Sequence, residues 1–116
     1  MAEGFAKHYG SDVLRATSAG LSPVDVVIPE TVFIMDEAGI DISQHVPMWY
    51  QPLQVARYDI VVNMSGYRLP GKPPKELIDW KVEDPYQKSA AVYRRVRGEI
   101  EQKVMQLVLR LRREQQ

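Results

Sequence analysis

"YDIVVNMSG", residues 58–66, is a compact apolar run bounded by polar residues and a glycine, the pattern of a strand buried on both faces. Such strands belong to parallel sheets, whose crossover connections place helices over the sheet. "ELIDWKVEDP" (76–85) repeats the idea and runs out into a loop, and "VLRATSAG" (13–20) reads as a third short strand ending in a glycine turn.

Helical patterns separate these runs. Met1, Phe5 and Tyr9 share one helical face, and Gly10 is a natural stop. That helix starts at the first residue given, without the Ser, Thr, Asp or Asn cap or the feeding strand that is expected ahead of it. In "SPVDVVIPETVFIMDEAGI" (22–40), Pro29 is placed to start a helix and Gly39 to end it, with Val32, Phe33 and Met35 supplying apolar contacts. After Pro85 the residues Val92, Val96, Ile100, Val104, Leu107, Val108 and Leu111 recur every three or four positions. They predict one long amphipathic helix, slightly weakened by Gly98. Strands alternating with helices imply an α/β fold, a three-layer sandwich with a parallel sheet and helices on both of its faces. Three strands make a thin sheet of this kind, and ligands bind such sheets at the carboxyl ends of the strands, near a switch point. The expectation is therefore a single domain over residues 1–116 whose central first strand is missing from the amino end.

Composition narrows the class. Of 116 residues, 45% are hydrophobic and 26% charged, enough for one core, and no apolar run is long enough to span a membrane. Glu3, Lys7 and His8 stand where a secretory signal would need apolar residues, so a cytoplasmic protein is expected. With no cysteine, the chain has no disulfide, no thiolate metal ligand and no cysteine nucleophile. His8 and His45 read as isolated surface or capping residues, which do not make a metal site. Net charge is zero, but Tyr86–Gln116 carries Lys88, Arg94, Arg95, Arg97, Lys103, Arg110, Arg112 and Arg113 against three glutamates, a surplus of five. Such a run can meet nucleic acid, although a solvated helix face is the commoner reading.

"MAEGFAKHYG", "ATSAGL", "DEAGIDISQH", "YDIVVNMS" and "WKVEDPYQKSAAVYRRVRGEIEQKV", in that order and spacing, resemble the low-molecular-weight protein tyrosine phosphatases, a family that includes a branch of arsenate reductases. The resemblance covers nearly the whole chain. It implies that "MAEGF" begins the family's first helix, just after the Cys-x5-Arg-Ser-Pro phosphate loop. The first strand and that loop are then expected to be lacking, through a misassigned start codon, a shortened chain or natural loss. Chemistry in the family transfers a phosphoryl group from a phosphate monoester to a cysteine thiolate and then hydrolyses the thiophosphate, with no cofactor.

The resemblance also assigns roles residue by residue. Asp84 is the general acid that protonates the leaving group, presented by a loop that Pro85 restricts. Read alone, Asp84-Pro85 is an ordinary turn before a helix. Tyr86 is either an aromatic wall for the substrate or packing at the start of the last helix. Ser18 either supports the phosphate loop or simply forms a turn. Glu83 is a weak candidate for raising the pKa of Asp84 by repulsion. "HVPMWYQPLQ" (45–54) departs from the basic, polar segment usual in the family, and Trp49 and Tyr50 in it are expected to form a local packing cluster rather than an exposed contact patch. The thioredoxin-coupled arsenate reductases carry further cysteines, one near the end of the strand where this chain has Asn63, Met64 and Ser65, which argues against that sub-branch.

The expected function is thus a phosphoric monoester hydrolase fold that is inactive as a chain, lacking its nucleophile. The alternatives are a pseudophosphatase acting by binding or scaffolding, and a single-cysteine arsenate reductase relative if an amino-terminal loop is restored. Phosphotyrosine, phosphoarginine, small phosphate esters and arsenate remain equivalent as substrates. Open strand edges predict a homodimer or larger assembly. No membrane contact is expected, and nucleic acid ranks last among the partners.

Overall fold

The computed structural model describes residues 1–21 and 28–115. Helix α1 (Ala2–Gly10), helix α2 (Pro29–Glu37), a 3₁₀ turn (Pro52–Arg57), strand β1 (Ile60–Asn63), strand β2 (Glu76–Asp79) and helix α3 (Ala90–Glu114) follow in chain order. The two strands pair in parallel, from Ile60 opposite Glu76 to Asn63 opposite Asp79. The molecule is an α/β sandwich, a small parallel sheet flanked by helices.

Periodicity places the helices well. Pro29 opens α2, where its missing N–H goes unused, and Gly39 follows the helix at φ 79°, a conformation that only glycine takes without strain. Ser89 caps α3 by accepting the Val92 N–H at 3.3 Å. Phe5, Met35, Ile40, Val96, Ile100, Val104 and Val108 form the buried core, against which Met64, Trp80 and Val82 pack from the sheet side. Arginines of α3 also close the other two helices. Arg112 donates to the Tyr9 carbonyl at 2.6 Å, and Arg97 donates to that of Ile34 at 2.8 Å. Both carbonyls lie in a last helical turn, where the helix itself supplies no donor and where positive charge is favoured.

Four sequence expectations need correction. "VLRATSAG" forms no strand; among the described residues its ladder contact is a single parallel bridge between Gly20 and Trp49, with no strand alongside to complete a pair. β1 is half-buried rather than enclosed on both faces, since β2 is its one partner among the described residues. Phe33 is 61% exposed, and Ile34 takes the inward position beside Met35. On α3, Tyr93 is buried while Val92, Leu107 and Leu111 are only partly covered. The one buried polar side chain among the described residues, Asn63, is satisfied by its own turn. Its amide donates to the Tyr67 carbonyl at 2.7 Å and its oxygen accepts from the Ser65 N–H and hydroxyl at 3.0 and 2.7 Å.

Candidate functional site

Two groups of polar residues carry what chemistry the fold presents. The first is the loop from β2 to α3. Asp84 Oδ1 accepts the Tyr86 N–H at 3.0 Å, and the Lys88 N–H closes the turn onto the Pro85 carbonyl at 2.9 Å. Gln87 takes φ 61° to finish it. Asp84 and Tyr86 are both exposed, so the turn presents a carboxylate and a phenol ring to solvent side by side. Glu83 is paired with cations. Its oxygens are held by Lys88 and Arg95, each at 2.6 Å, and these hydrogen bonds keep its carboxyl below the usual range. Behind the turn, Tyr93 is buried, and burial first, then the Glu30 carboxylate, pushes its phenol up.

The second group joins three segments. His45 Nδ1 lies 3.0 Å from Glu3 Oε2, and His45 Nε2 lies 3.5 Å from the Ser18 hydroxyl. Lys7, one turn along α1, reaches the same Glu3 oxygen at 3.2 Å. Hydroxyl, imidazole and carboxylate in this order resemble a nucleophile, a base and an orienter. The Ser18 contact, however, is at the outer limit of hydrogen-bond reach, too long for a working relay. The group acts as a tie binding the loop at Ser18 and the loop at His45 to the first turn of α1. His45 is therefore not the isolated surface residue that the sequence suggested. Glu3 and Lys7 are legible as an i, i+4 pair, but nothing local to His45 announces a partner 42 positions away.

Asp84 and Tyr86 are thus brought together, while Ser18 stands with Glu3 and His45. No hydrogen bond joins the two groups among the described residues. His8 lies edge-on to Tyr9 with ring centroids 4.8 Å apart, and no cluster of three or more His, Asp or Glu among the described residues is arranged to hold a metal. No helix among them is long and apolar enough to cross a membrane.

The basic surplus of the last helix is neutralised from elsewhere in the fold. Arg94 and Arg97 hold Glu37, Lys88 and Arg95 hold Glu83, Arg110 holds Glu76 and Arg112 holds Asp12. Of the cations counted in the sequence, Lys103 and Arg113 alone make no ion pair among the described residues, which leaves little of a phosphate-binding surface.

Comparison with known proteins decides the ancestry. A model of the low molecular weight phosphotyrosine protein phosphatase family matches residues 1–70 and 72–116. The chain belongs to this family. A glutaredoxin arsenate reductase of Synechocystis is 36% identical, the match covering 96% of this chain and 87% of that protein. An arsenate reductase of Halalkalibacterium halodurans is 34% identical, over 90% and 81% of the two chains. A solved arsenate reductase in its oxidized state superposes with a TM-score of 0.85 at 34% identity, over 95% of this chain and 86% of that one. The similarity thus runs to the arsenate-reductase branch, so the missing cysteine at 63–65 does not remove the chain from the arsenate reductases as a group. This member of the family holds no cysteine.

Proposed function

We propose that this chain is a phosphatase and arsenate-reductase domain that presents the acid side of an oxyanion site and does not by itself turn over phosphate esters or arsenate. The absence of any cysteine carries this reading. Without a thiolate no thiophosphate or thio-arsenate forms, and Asp84 has no departing group to protonate. In this reading Asp84 is the general acid, Tyr86 walls the substrate and Ser18 supports the oxyanion loop. Support comes from the turn that aims Asp84 and Tyr86 together into solvent and from the relatives, one of which was solved in a phosphate binding state. The substrate class is a tetrahedral oxyanion, as a phosphate monoester or arsenate. The chain self-associates, because β1 has no strand on its outer edge among the described residues.

The test is steady-state turnover of p-nitrophenyl phosphate, and of arsenate with glutathione and glutaredoxin, by the purified chain. Background rates in both assays are expected. Turnover that purifies with the chain and disappears in Asp84→Ala overturns the proposal. A second reading, a binding protein that has kept the fold without the chemistry, predicts the same background rates together with saturable affinity for a phosphorylated partner.

A further inference from the structure

Residues 44–56, "QHVPMWYQPLQVA", contain no Asp, Glu, Lys or Arg, in a chain where 26% of residues are charged. The structure buries Val55 but exposes four other apolar members of this run: Val46 is 68% exposed, Met48 51%, Trp49 65% and Leu53 93%. Trp49 was expected to pack locally and does not. The bridge between Gly20 and Trp49 and the bond from the Tyr50 hydroxyl to the Pro70 carbonyl fix the backbone of this run, so its side chains are held outward on an ordered support. The Gly20–Trp49 bridge also brings Leu21, another exposed apolar residue, alongside.

The area of the whole molecule is larger than its mass requires. A folded monomer of 13.3 kDa should expose about 6,500 Å². This chain exposes 8133 Å², an excess of roughly 1,600 Å², where a stable dimer hides about 800 Å² per partner. Charge selects the partner. A face without charges offers nothing to an acidic or basic surface but complements another uncharged apolar face, and a chain of zero net charge does not repel its own copy.

We infer that the Val46–Leu53 face is the interface of an isologous homodimer, with Trp49 as its central anchor and a second copy of this chain as its occupant. The inference rests on the self-association proposed above and moves its centre from the β1 edge to this face. A two-fold arrangement sets the same residues of both copies against each other.

Sedimentation equilibrium of the full chain across a wide concentration range tests it, with Trp49→Asp and Leu53→Asp as face variants and Val62→Pro as the edge variant. Val62 directs its N–H away from β2, as the hydrogen bonds to the Asp59 and Asn63 carbonyls on either side require, so proline there blocks only the outer edge. The expected result is twice the chain mass for the wild type, and association weakened about thirtyfold or more in each face variant. Circular dichroism should show both face variants folded, since both side chains lie largely outside the core. A wild-type dimer that survives both face variants but fails in Val62→Pro overturns the inference and leaves edge-mediated association standing. A wild-type monomer overturns both.

Discussion

His45 Nδ1 lies 3.0 Å from Glu3 Oε2, and this contact ties the loop after α2 to the first turn of α1. Burial works against the Glu3 carboxylate, but hydrogen bonds from Lys7 and Ser18 and the charges of His45 and Lys7 outweigh it, so its carboxyl is held below its ordinary value of 4.5. A depressed carboxyl contributes stability above its unfolded value and loses it as pH falls through the folded one. His45→Ala is therefore expected to cost about 1 kcal/mol near neutral pH. Glu3→Gln should lose most of its effect in acid below the ordinary carboxylate range. Denaturant melts of both variants at neutral and acid pH check this.

Glu37 offers a sharper pH test. Hydrogen bonds from Arg94, with Arg97 adding to them, bring its carboxyl down to about 2. Its contribution to stability is full above the ordinary value of 4.5 and fades as pH falls toward 2. Glu37→Gln should lower the melting temperature at pH 7, do so less in high salt, and match the wild type at the acid end. A difference independent of pH contradicts the ion-pair account.

Gly10 and Val108 form a close contact between α1 and α3. A Cβ on residue 10 would stand 2.7 Å from the Val108 Cγ2 methyl carbon, in a buried position. Gly10→Ala should destabilise by about 1–3 kcal/mol through overpacking. Val108→Ala alone leaves a cavity, and the double variant should cost clearly less than the sum of the two. Additive costs in a double-mutant cycle contradict this packing.

Gly98 predicts a gain. A Cβ there meets nothing within 4 Å, and the residue sits in the interior of α3. Gly98→Ala should stabilise by roughly 0.5–1 kcal/mol in a denaturant melt, the helix-propensity difference alone.

The sequence made the long periods legible and left the cross-chain contacts hidden. The 3.6-residue period of α3 located Val96, Ile100, Val104 and Val108 in the core, and Pro29 and Gly39 bracketed α2, because these signals are local. The run at 58–66 identified a strand of a parallel sheet, but its burial depends on a neighbour, and one neighbour strand is what the described fold provides. "VLRATSAG" failed as a strand for the same reason, since strand formation is a property of pairs. Asp84-Pro85-Tyr86 was legible as a turn before the last helix, and that turn is present. The tie from Ser18 and Glu3 to His45, the neutralised basic helix and the exposed Trp49 all depend on residues far apart in the chain.

The central claim is that no covalent intermediate can form on this chain. Intact-mass spectrometry of the purified protein, acid-quenched after incubation with a reactive aryl phosphate, tests it directly. The account predicts a single species at the unmodified mass, in the wild type and in Asp84→Ala alike. A species heavier by one phosphoryl group, accumulating in Asp84→Ala or in the wild type, would contradict it.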